Sequence, residues 1–173
     1  EQEAINLVMP IQLRVDNLLI QDIQFKQAEQ HYAIHSVKAA LLYQTQTLQI
    51  DQFALVSELA TLQGDATVQI TESLDFTADL DLIKPDTEWG DVTAHLALQG
   101  NPQKIYLQST LHAPTELQAQ GWVKLESNTP EFDLKLDGDV LQWPLQGKAD
   151  YALNKATLTL QGTLDDYQLA LQA

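Results

Sequence analysis

The chain has 173 residues, and 9 lysines and arginines against 24 aspartates and glutamates leave a formal net charge of −15. Phosphate recognition needs clustered cations, so this balance argues against nucleic acid and against docking on an anionic membrane surface. With no cysteine there is neither a disulfide framework nor a thiolate metal site, and no run of about 18 apolar residues would cross a membrane as a helix.

The length suits one domain, residues 1–173, large enough to bury a core. There is no initiator Met and no leader pattern, and the chain stops in mid-pattern at Ala173, so it reads as a piece of something longer. The first eight residues carry the weakest strand pattern. From Ile11 on, apolar and polar side chains alternate nearly to the end, the signature of half-buried strands. Ile11, Leu13 and Val15 alternate with Gln12 and Arg14, and Val37, Ala39, Leu41 and Tyr43 follow. Gln52–Ala60 reads as a strand or a short helix. Leu62, Gly64, Ala66, Val68 and Ile70 share one parity; so do Leu74, Phe76, Ala78, Leu80 and Leu82. Ile83–Gly90 and Gly100–Lys104 read as loops around Pro85 and Pro102. Between them Val92, Ala94, Leu96 and Leu98 oppose Asp91, Thr93, His95 and Gln99.

Strands are also expected over Leu117–Leu125, Phe132–Leu136 and Leu145–Leu153, and then Ala156–Gln161 and Tyr167–Gln172 around Gly162. "LDGDV" (Leu136–Val140) is an Asp-Gly hairpin signal. In these segments no charged residue shares the apolar parity, so a one-residue slip would bury carboxylates and the register is firmly set. One wet and one dry face per strand is the antiparallel habit. Residues 62–112 and 119–173 also repeat each other: Gly64 and Gly121 are 57 apart, and "LALQGNPQKIYLQ" matches "LTLQGTLDDYQLA" at an offset of 62, which implies about five extra residues near Asn154 in the second copy.

The polar parity offers no chemistry. His31 and His35 would stand about 13 Å apart along one strand face, too far to share an ion. His95 and His112 also read as solvated. Asp165–Asp166 and the acids around Gly138 lack the spacing of a calcium loop. No serine sits in a nucleophile elbow and no glycine loop cradles phosphate. Trp89, Trp122 and Trp143 could suggest a sugar platform, but beside turns and between strands they read as caps on a core edge. The chain therefore reads as no enzyme, without cofactor or metal.

What remains is the dry face: Val68, Ile70, Leu74, Phe76, Leu80, Leu82, Val92, Leu96, Leu98, Ile105, Leu107, Val123, Leu125, Phe132, Leu134, Leu136, Tyr151, Leu158, Leu160 and Leu169. Two such faces could close on each other as a sandwich. A single curved sheet could instead leave them as a groove, charge-free and aliphatic, suited to acyl chains.

"VLQWPLQGKADY" (Val140–Tyr151), "APTELQAQGWVKL" (Ala113–Leu125), the recurring "LQG" and the closing "LTLQGTLDDYQLALQA" resemble the TamB family of AsmA-like proteins. The resemblance runs from about Ile11 and is strongest after Leu62. It implies an all-β, largely antiparallel, U-shaped (taco-like) sheet of stacked β units with an apolar interior groove. It also implies an internal or C-terminal-half periplasmic segment of a protein anchored in the inner membrane of a Gram-negative bacterium. The implied role is a conduit carrying phospholipid acyl chains between the two membranes. The alternative it implies is a scaffold for assembly and secretion of outer-membrane β-barrels and autotransporters with TamA, an Omp85-class barrel partner.

Overall fold

The structure, a computed structural model, describes residues 12–27, 30–87, 90–113, 115–125, 129–143 and 150–173. The described residues form eleven strands and no helix: β1 (Leu13–Gln27), β2 (Gln30–Gln44), β3 (Thr47–Ser57), β4 (Thr61–Gln69), β5 (Phe76–Thr87), β6 (Gly90–Gly100), β7 (Lys104–Ala113), β8 (Thr115–Lys124), β9 (Glu131–Trp143), β10 (Tyr151–Thr163) and β11 (Tyr167–Gln172). All belong to one sheet in strict sequence order, each antiparallel to the next. The sheet is curved and unclosed: β1 pairs with β2 alone and β11 with β10 alone.

Local chemistry sets the reversals. Thr45 and Gln46 both take positive φ, 48° and 62°, which gives the β2–β3 hairpin a turn that matches strand twist. Asn101 Oδ1 accepts the backbone N–H groups of Gln103 and Lys104, each at 3.0 Å, and closes the loop that Gly100–Lys104 predicts. At the end of β3 the Ser57 hydroxyl donates to the Ala60 carbonyl and accepts from the Ala60 N–H. That bend, rather than a helical turn, consumes "SELA", so Gln52–Ala60 is strand as far as Ser57.

Three sequence expectations fail. Leu136–Val140 is no hairpin: it runs through the middle of β9, where Gly138 pairs with Leu117 on one side and Ala156 on the other. A methyl on Gly138 would lie 2.6 Å from Leu117 Cδ2, so the glycine makes room for a neighbour rather than a turn. Ile83–Thr87 is not loop but the continuation of β5, with Lys84 opposite Val92. The break expected between Leu153 and Ala156 lies inside a single strand, β10. Lys155 takes φ +58°, and across it the covered apolar position moves from odd to even numbering. Gln52 (φ +54°) makes the reverse switch in β3, from even to odd between Ile50 and Phe53, where the register with β4 shifts and Asp65 accepts the Gln52 N–H at 2.8 Å. The first eight residues, Trp89 and Leu145–Ala149 lie outside the described residues.

No described side chain is fully buried; Ala39, Tyr43, Ala94 and Ala156, each at 6–7% exposure, are the covered apolar positions. The accessible surface is 12492 Å², against about 8,500 Å² for a compact globule of this mass. A sandwich would seal a core; this sheet does not.

Candidate functional site

Directly paired residues of an antiparallel ladder point to the same face. Following the pairs strand by strand therefore assembles rows across the sheet. One row reads Leu13, Tyr43, Leu48, Val68, Phe76, Gly100, Ile105, Val123, Phe132, Gly162 and Tyr167. The next reads Val15, Leu41, Ile50, Ala66, Ala78, Leu98, Leu107, Gly121, Leu134, Leu160 and Leu169. A third runs from Gly64 through Leu80, Leu96, Ser109, Ala119, Leu136 and Leu158 to Leu171. A fourth runs from Ile20 through Val37, Leu55, Leu62, Leu82, Ala94, Leu111, Leu117 and Gly138 to Ala156. None of the four contains a charge.

Sixteen separate sequence positions thus fall into one ordered surface. Val68, Phe76, Ile105, Val123 and Phe132 share the first row; Leu98, Leu107, Leu134, Leu160 and Leu169 the second; Leu80, Leu96, Leu136 and Leu158 the third; Leu82 the fourth; Val92 follows, facing Lys84 at the border. Four are not gathered in this way. Ile70 and Leu125 lie just past strand ends, Leu125 with 44% exposure. Leu74 sits in the β4–β5 turn at φ +51°, where strand parity has no meaning. Tyr151 opens β10 opposite Trp143, beyond the four rows. Sequence reading missed Leu48, Ile50 and Leu55, because the Gln52 bulge switches their parity within one strand.

The opposite face is polar and acidic. Asp65 lies directly across from Asp79, and Asp81 across from His95. His95 Nδ1 is 3.0 Å from Asp81 Oδ1 and its Nε2 is 3.5 Å from Asp79 Oδ2. The hydrogen bond to Asp81, then the charge of Asp79, raises the imidazole pKa above its usual 6.5. Lys135 and Thr157 both donate to Asp137, each at 2.7 Å, and hold its carboxyl below the usual carboxylate range. Trp122 is not a cap on the core edge: its neighbours Gly121 and Val123 take the apolar side, and it stands on the polar face opposite Tyr106. Hollows described in the structure lie over this face. One of about 460 Å³ is lined by Asp51, Asp65, Asp79, Gln99 and Tyr106, among others. Among the described residues, no group of three or more His, Cys, Asp or Glu could hold a metal ion.

The eleven-strand meander thus carries four charge-free rows on one face, bordered by Lys84. Residues 2–173 match the family described as TamB, N-terminal domain. The chain belongs to the TamB family. The match is to the family's N-terminal domain, where an internal or C-terminal-half segment had been expected. No curated protein and no solved structure matches the chain. TamB-family membership carries a role in lipid or protein transport in the cell envelope. No helix among the described residues is long and apolar enough to cross a membrane.

Proposed function

We propose that the apolar face of this sheet is a conduit for phospholipid acyl chains. The observation that carries the reading is the set of four charge-free rows, apolar but for Ser109 and left half-exposed rather than sealed in a core. Strands stack at about 4.8 Å, so eleven of them present a path of roughly 48 Å perpendicular to the strands. An acyl chain moving along it stays out of water, where each CH₂ would cost about 0.8 kcal/mol. With no charge in the rows, no point along the path holds a lipid tightly, as transit requires. In this reading the chain is a periplasmic segment of an inner-membrane-anchored TamB protein, and its acidic polar face keeps it hydrated.

The two halves 62–112 and 119–173 act as equivalent four-strand units of that path. Their strand spacing supports this. Gly64 on β4 and Gly121 on β8 are four strands apart, as are Gly100 on β6 and Gly162 on β10. A photo-crosslinking residue at Leu98 or Leu134 tests the conduit in cells. Adducts with phospholipid should form there and not at Thr77 or Gln120 on the polar face. Equal labelling of both faces, or of neither, would overturn it.

A second reading has its own support in β11. Tyr167, Leu169 and Leu171 are 53–60% exposed, and the strand carries no charge and no proline on its open edge. Such an edge receives extended segments by strand addition. That suits a scaffold for outer-membrane barrel proteins and autotransporters working with TamA, the Omp85-class partner. Adducts to unfolded barrel precursors at Gln168, in place of lipid at Leu98, would favour it.

A further inference from the structure

The row Thr67, Thr77, Gln99, Tyr106, Trp122, Asp133, Gln161, Gln168 crosses the polar face, and two of its eight members are large aromatics. An indole on the wet side of a sheet is costly to leave without contacts. Part of the explanation is local. Lys104 Nζ lies 4.2 Å from the Trp122 ring centre and 4.9 Å from that of Tyr106, so β7 covers one side of the indole with a cation. Toward β9–β11, Trp122 also lines a hollow of about 410 Å³ together with Glu131, Asp133, Gln161, Thr163, Asp166 and Gln168. Gln161 Nε2 donates to Gln168 Oε1 at 3.5 Å, which sets the two amides side by side.

We propose that this hollow binds a neutral saccharide, with the flat face of one pyranose ring against Trp122 and its hydroxyls on the amides and carboxylates of β9–β11. A sugar ring has an apolar C–H face and a rim of hydroxyls that both donate and accept. An indole beside planar amide and carboxylate groups matches both halves. Glu131, Asp133 and Asp166 supply acceptors only and repel anions, which disfavours acidic glycans and phosphates. The cation that an indole would otherwise attract is already present as Lys104. The row crosses the strands at one polar residue per strand, so a linear glycan lying along it meets Asp133, Gln161 and Gln168 in turn. The inference concerns the face opposite the apolar rows and does not depend on lipid transport.

The test is a titration of the ¹⁵N-labelled 173-residue chain with chitotetraose, read at the Trp122 indole N–H signal, which Trp122→Phe identifies by its loss. A saturable shift in the low millimolar range is expected. Gln161→Leu and Gln168→Leu should each weaken it about tenfold without lowering the melting temperature, whereas Tyr106→Ala, outside the hollow, should leave it within about threefold. No saturable shift up to about 20 mM, or unchanged affinity in both glutamine variants, would overturn the proposal. So would a Trp122 response to spermidine with none to chitotetraose, which would make the hollow a cation site.

Discussion

Gly64 on β4 faces Leu80 on β5 so closely that a methyl group on the glycine would overlap the Asp79 carbonyl oxygen and stand 2.9 Å from Leu80 Cα. Its φ of +150° is also one that side chains rarely adopt. Gly64→Ala should therefore cost about 1–3 kcal/mol, read as a lower midpoint in urea. Gly138→Ala is the control. Its methyl would meet the end of the Leu117 side chain, which can swing aside, so the loss should be smaller. Equal losses would show that close approach at Gly64 is not what the fold requires.

Leu98 sits between Ala78 and Leu107 in the second apolar row and is half-buried. A carboxylate there can reach water along an open face, whereas in a sealed core its desolvation would cost several kcal/mol. Leu98→Asp and Leu136→Asp should fold by circular dichroism with modest loss of stability. In the full-length protein they should impair outer-membrane integrity. Wholesale unfolding by such changes would mean the rows are covered by something that closes them off.

At β11 three of the apolar rows end on an uncovered edge. Leu169→Lys, at a site 60% exposed, should change stability by no more than about 0.5 kcal/mol. It should also shift the sedimentation profile of the concentrated chain toward monomer, because a lysine on an edge blocks strand-to-strand pairing. An unchanged profile would argue that the edge does not self-associate.

His95 binds its proton more tightly folded than unfolded, because Asp81 hydrogen-bonds it and Asp79 adds charge. Its contribution to stability is thus complete below the unfolded value near 6.5 and fades as the pH rises through the higher folded value. An NMR titration should show the His95 midpoint falling in Asp81→Asn, and falling less in Asp79→Asn. No change in either variant would mean the bridge is absent in solution.

The alternation within β4, β6 and β8 was readable, because a parity rule needs only neighbours two apart. Leu80, Leu96 and Leu136 could be assigned to one face without any fold. Reading failed where a backbone angle, not a residue type, carried the information. Nothing in "Asp51-Gln52" or "Asn154-Lys155" signals a left-handed residue, since neither pair contains glycine, yet each reverses which side chains face the apolar surface. The β2–β3 turn at Thr45-Gln46 likewise lacks the Asn or Gly that marks such turns. Asp137-Gly138 has that mark and is mid-strand, because a glycine that admits Leu117 looks the same in sequence as one that reverses the chain. Trp122 was misplaced for a related reason. Composition suggested a core residue, and only its parity against Gly121 and Val123 puts it on the other side.

The order β1 to β11 is the order of the chain itself, so every strand finds its partner in the stretch just before it or just after it. A polypeptide with that plan never waits for a distant segment. Each new hairpin can zip onto the last as the chain grows, with little loop entropy to overcome at any step. Pulled from its two ends, the same molecule would peel one strand at a time rather than rupture as a block, because among the described residues no element bridges non-neighbours.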